Sequence, residues 1–126
     1  MIKVINSKSI IFNYAECEEL YNSCKDKIND DDFEDIIKRT LFFSFYIAST
    51  NELIGCIYFY TIGRKLFVNA FANRHHHLIN LECLKESLKW FKRNVYAKSK
   101  EKTAIYCLRK CGFQYDKKRD LYIHRR

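Results

Sequence analysis

The stretch Lys65–Phe91, KLFVNAFANRHHHLINLECLKESLKWF, changes its period in the middle. After Lys65 its next seven residues are aromatic and aliphatic with one polar interruption, Asn69, the texture of a strand through a core. From Leu78 onward, Leu78, Leu81, Leu84, Leu88 and Phe91 recur every three or four positions, which predicts a helix. Between them stand Arg74 and three consecutive histidines, His75, His76 and His77. A strand that passes into a helix through a cationic turn sets unpaired helix N–H donors beside the strand end, an arrangement that attracts anions.

On the N-terminal side the texture stays β-like. FFSFYIAS (42–49), a turn at Thr50–Glu52, IGCIYFY (54–60) and a turn around Gly63 lead into KLFVNAFA, three short strands in an antiparallel meander. Before them, IKVI is a short strand. Tyr14, Cys17, Leu20, Tyr21, Cys24 and Ile28 share one helical face, with Asn13 as N-cap and Glu16 in capping-box position. The acidic run Asp30–Asp32 then precedes Phe33, Ile36 and Ile37, and Lys38 and Arg39 follow, so a short second helix has acids at its start and bases at its end. On the C-terminal side VYA (95–97) is a strand. Ala104, Cys107, Leu108 and Cys111 mark a fourth helix, with Ser99 as its expected cap and Gly112 as the glycine that ends it. After Phe113, two brief strands flank the polar turn Asp116–Asp120. The predicted order is β-α-α-β-β-β-α-β-α-β-β, an α+β chain in one domain, 1–126.

The chain has 126 residues, 48% of them hydrophobic, enough for one core. It has no run of eighteen uncharged apolar residues and no secretory layout at its start, so a cytoplasmic address and no membrane partner are expected. The six cysteines are scattered over core-facing positions and are expected to stay reduced. Residues 1–40 hold six Lys/Arg against nine Asp/Glu, while residues 64–126 hold seventeen against five. The basic second half favours a phosphate-bearing partner. Nucleic acid is not expected: Trp90, Phe91, Tyr96 and Tyr122 are interleaved with bases, but no RNP-like or helix-turn-helix signature appears. Adjacent histidines point in different directions and lack His-x-x-x-His or Cys-x-x-Cys spacing, and helix capping accounts for the aspartates, so no metal site is expected.

The element order and EKTAIYCLRKCGF (101–113) together resemble the GNAT superfamily of N-acetyltransferases, and the resemblance runs over nearly the whole chain. In that family the fourth helix often carries an Asn, an Ala three residues on, and a Tyr four residues before a Gly-Phe pair. Ala104 and Gly112-Phe113 keep this register, with Glu101 in the Asn place and Leu108 in the Tyr place. The resemblance also implies a pyrophosphate-binding loop of the form Gln/Arg-x-x-Gly-x-Gly/Ala after the fourth strand. Aligned on Arg74, the chain reads Arg-His-His-His-Leu-Ile, which fills both glycine positions, with His77 and Ile79. A glycine-poor loop of this kind is similar to those of short acetyltransferase-like proteins of bacteriophages.

The resemblance implies a mostly antiparallel sheet flanked by four helices, acetyl-CoA as cofactor, and an amine of a protein or small molecule as acceptor. Cofactor contacts fall on Phe71, Ala72, Arg74, His75, His76, His77, Leu78, Ile79, Ser99 and Thr103. Tyr106 is the candidate proton donor, displaced around the helix from the family's tyrosine position, and Asn69 is a candidate for orienting a water. The strand KLFVNAFA offers no acid as base. The other reading of the filled loop is a non-catalytic module on the same fold, a phage or virus protein that binds a host or virion partner.

Overall fold

The computed structural model describes residues 1–28 and 31–126. The chain runs β1 (Ile2–Asn6), α1 (Tyr14–Ile28), α2 (Phe33–Arg39), β2 (Leu41–Ile47), β3 (Glu52–Ile62) and β4 (Lys65–Ala72). It continues through a 3-10 turn (Arg74–His76), α3 (His77–Leu88), β5 (Val95–Ala97), α4 (Lys102–Lys110), β6 (Gln114–Asp116) and β7 (Leu121–His124). The seven strands form one sheet in the order β1-β2-β3-β4-β5-β7-β6. Every neighbouring pair is antiparallel except β4 and β5.

Local chemistry sets most of the helix ends. Asn13 Oδ1 accepts the Glu16 N–H at 3.1 Å and starts α1. The Glu16 carboxylate accepts the Tyr46 hydroxyl at 2.7 Å, which ties α1 to β2. In α2, Glu34 and Asp35 lie in the first turn and Lys38 and Arg39 in the last, as the dipole favours. The Ile28 side chain and Asp30, assigned above to a helical face and an acidic cap, lie outside the described residues. The cap of α4 is Glu101 and not Ser99: its Oε2 accepts the Ala104 N–H at 2.8 Å, while Ser99 Oγ accepts the Glu101 N–H one step earlier. Gly112, at φ +95°, ends that helix, and its N–H and that of Phe113 turn back to the Arg109 and Leu108 carbonyls.

The sheet separates two cores. On one face α1 and α2 bury Cys17, Tyr21, Phe33 and Ile36 against Phe42, Tyr46, Tyr58 and Phe71. On the other, α3 and α4 bury Cys83, Leu84, Leu88 and Leu108 against Ile57, Phe59, Val68 and Val95. A bulge in β3 shifts the alternation, because Phe45 pairs with Gly55 and Tyr46 with Leu53, which leaves Ile54 as the extra residue. The buried face of α3 is Asn80, Cys83, Leu84, Ser87 and Leu88. Leu78, expected on that face, is 62% exposed. Leu84 and Leu88 are buried and Leu81 and Phe91 pack against the core as the spacing predicts, and only Leu78 is misplaced, because the buried positions Asn80 and Ser87 are polar and shift the face away from it.

Candidate functional site: an open strand edge beside a helix start

The site is built on the one parallel contact. β4 and β5 pair only at Leu66↔Val95 and Phe67↔Tyr96, so the last five residues of β4 have no register partner on β5. The Asn73 N–H bonds to the Ile54 carbonyl at 2.9 Å, which fixes the alternation along β4. Backbone groups of Asn73, Phe71 and Asn69 face β3, and those of Ala70 and Ala72 face the gap. Phe71 therefore spends its backbone on β3 and its ring on Tyr21 and Phe42. Ala72, and beside it Ala70, present main-chain groups to the opening.

Both edge groups are covered locally. Asn69 Oδ1 accepts the Ala70 N–H at 2.8 Å, and the Cys24 thiol of α1 approaches the Ala72 carbonyl at 3.7 Å. Behind the edge lies a tight spot. A Cβ on Gly55 would come within 2.7 Å of both Asn80 Oδ1 and the Phe71 carbonyl oxygen, so only glycine lets α3 sit this close to β3 and β4. Asn80 Oδ1 is buried there and, among the described residues, has no hydrogen-bond partner.

The cationic turn follows directly. Asn73 organises it, accepting the His75 N–H on its side chain at 3.1 Å and the His76 N–H on its carbonyl at 2.9 Å. The histidines then diverge. His76 Nε2 meets Glu52 Oε2 at 3.1 Å, His77 Nδ1 lies 3.4 Å from the Arg74 carbonyl, and His75 is exposed. The hydrogen bond to His76 holds the Glu52 carboxyl below its ordinary value. Arg74 is exposed. The N-cap residue His76 makes no side-chain bond to α3, so among the described residues its first-turn N–H groups, those of Leu78 and Ile79 among them, have no side-chain acceptor.

Because β4 and β5 are parallel, the start of α4 lies at the same end of the sheet as this turn. Ser99 and Thr103 belong to that end, Ser99 half-buried and Thr103 exposed. Tyr106 is 55% exposed on α4, with Lys110 Nζ 5.5 Å from its ring centre, while Leu108 points into the core. Ala70, Asn73 and Cys24 escaped the sequence reading. Strand parity would have found Ala70, and the Asx-turn habit of an Asn before a helix would have found Asn73. Cys24 reaches β4 only through tertiary packing.

Other chemistry is confined. All six cysteines are free thiols. Burial pushes Cys83 up to about 11 and Cys111 up to about 12, so neither is a nucleophile near neutral pH. Among the described residues no three His, Cys, Asp or Glu side chains converge as metal ligands, and no helix is long and apolar enough to cross a membrane.

No protein-family model matches the sequence, and no curated protein matches it. Solved structures do. The chain is similar to a ribosomal-protein-S5-alanine acetyltransferase from Vibrio fischeri, with a TM-score of 0.69 at 12% identity over 91% of this chain and 79% of that one. It is similar to a GNAT-family acetyltransferase from Streptococcus pneumoniae, with a TM-score of 0.62 at 9% identity over 98% and 96%. It also matches an N-acetylglutamate synthase from Neisseria gonorrhoeae, complexed with coenzyme A and N-acetyl-glutamate, with a TM-score of 0.62 at 12% identity over 99% of this chain and 35% of that one.

Proposed function

From the GNAT fold that the chain shares with those acetyltransferases, we propose that it is an acetyl-CoA-dependent N-acetyltransferase acting on an amine of a protein or small molecule. The observation that carries this reading is the gap between β4 and β5 beside an uncapped helix start. An extended amide-bearing chain fits such an edge, because Ala70 and Ala72 offer it main-chain partners as a neighbouring strand would. The α3 N–H groups and the exposed Arg74 suit a pyrophosphate. The side chains of His77 and Ile79 stand where the family has glycine, so the anion would be held by first-turn N–H groups and cationic side chains instead of a bare backbone cradle.

When bound, acetyl-CoA would supply an activated acyl group for direct attack by the amine. The chain's own part is to hold, orient and exclude water. Asn69 must release the Ala70 N–H for the edge to be used. No carboxylate lies on β4, so the amine would lose its proton through water, and Tyr106 is the hydroxyl available on α4 for the departing sulfur. Free thiols suit a reducing cytoplasm.

Thermal unfolding with acetyl-CoA tests the reading. Ligand at a hundred times its Kd adds about 2.7 kcal/mol, and at roughly 4 °C per kcal/mol the Tm should rise by about 10 °C. Pyrophosphate at matched ionic strength should give a smaller rise. A well-folded protein that shows no shift at millimolar acetyl-CoA would overturn the proposal.

A further inference from the structure

The C-terminal end of α3 lies remote from the cationic turn at its start. There a cleft of about 620 Å³ opens where α3 finishes and the chain returns beside β7. Its apolar floor is Leu88, Phe91 and Cys111, and its rim is cationic. Two of the rim lysines are matched on their own helix, Lys85 with Glu82 at 3.4 Å and Lys89 with Glu86 at 3.1 Å. Lys92, Arg93, Arg125 and Arg126 also line the cleft, and among the described residues none of them has an ion pair.

These four charges are held together by design of the backbone. Arg93 donates to the Arg64 carbonyl, which fixes its guanidinium against the β3–β4 turn. The Arg126 N–H donates to Asn94 Oδ1 at 2.9 Å, which sets the C-terminal arginines beside Arg93. Cations from two chain segments are thus brought to one opening whose two acids, Glu82 and Glu86, are already matched by Lys85 and Lys89, a repulsive arrangement that an anion would relieve. Sequence alone did not show this, because Lys92 and Arg93 lie at least 32 residues from Arg125 and Arg126 and no local motif joins them.

We propose that this cleft binds the phosphodiester backbone of a single-stranded nucleic acid. A rim of guanidinium and ammonium groups suits phosphates, and a floor of Leu88 and Phe91 suits the flat apolar face of a base. An acidic peptide would match the rim but bring nothing for the floor. The cleft is separate from the acetyl-CoA site proposed above, and the inference does not depend on that site.

The test is fluorescence anisotropy of the full chain with a labelled fifteen-residue oligo-dT, titrated across salt, with polyglutamate of equal length as the contrasting probe. Four phosphate contacts give a slope of log K against log salt of about −2.8, hence about fifty-fold weaker binding at 200 mM than at 50 mM salt. The double variant R93E/R125E should lose at least about tenfold in affinity and flatten the slope, with circular dichroism and Tm confirming that it folds. The R74A variant should bind the strand like the parent. No binding at 50 mM salt overturns the proposal, as does an unchanged affinity in R93E/R125E. Polyglutamate binding as tightly as oligo-dT would overturn it in favour of an acidic protein partner.

Discussion

The two halves of β4 are made of similar residues and do different things. Leu66 and Phe67 are closed on both sides, by β3 and by β5. Three residues later Ala70 has β3 on one side and, among the described residues, its neighbour Asn69 on the other. The closed half anchors the sheet through Val95, which is fully buried, and the open half leaves main-chain groups met by the side chains of Asn69 and Cys24, which a ligand could replace. A strand that stops pairing part-way along thus builds a binding edge without any special residue on it.

Breaking the closed half should cost most. Leu66→Ala removes a buried side chain from the α3/α4 core and should lower stability by about 2–5 kcal/mol in urea denaturation, with acetyl-CoA affinity of the folded fraction unchanged. Gly55→Ala lies behind the open half, where the added methyl meets Asn80 and the β4 backbone. It should cost about 1–3 kcal/mol and also displace the edge, so the Tm response to acetyl-CoA should shrink. Asn69→Ala should cost only about 1 kcal/mol, since it removes one partly exposed hydrogen bond. Because it uncovers the Ala70 N–H, acetyl-CoA should bind more tightly, and weaker binding in calorimetry would show that Asn69 helps to hold the ligand. The smallest effect concerns the turn. The Glu52 carboxyl is depressed in the folded state below its ordinary 4.5, so the stabilisation from its contact with His76 is present above that pH and is lost as pH falls through the lower folded value. Glu52→Gln should flatten that acid limb of the Tm–pH curve, and an unchanged limb would remove the contact from the account.

Much of the fold was legible because its signals are local. KLFVNAFA and VYA coincide with β4 and β5 residue for residue, and Gly63, Asn13 and Gly112 mark turn and helix ends through backbone or capping chemistry that acts within a few residues. The stripe of α3 was misread at Leu78 because polar Asn80 and Ser87 are buried beside Gly55 and under the helix, which an apolar pattern does not register. The candidate site was half legible: Arg74 and the histidines stood out by composition. The direction of His76 and the parity that gives Ala70 rather than Phe71 to the edge depend on pairing across segments, while the cap at Glu101 is local and was missed because a serine two residues earlier competes for the same role. The basic cleft was visible only as an excess of charge in the second half, since Lys92 and Arg93 meet Arg125 and Arg126 through the bond of the Arg126 N–H to Asn94.

Residue-resolved amide hydrogen exchange, with and without saturating acetyl-CoA, tests the use of the open edge most directly. The N–H groups of Ala70 and Ala72 should exchange at least about tenfold more slowly with ligand, equivalent to roughly 1.4 kcal/mol of added protection, while those of Leu66 and Phe67 should change no more than the global stability does. Unchanged exchange at Ala70 and Ala72 under saturating acetyl-CoA, or protection confined to the basic cleft, would contradict it.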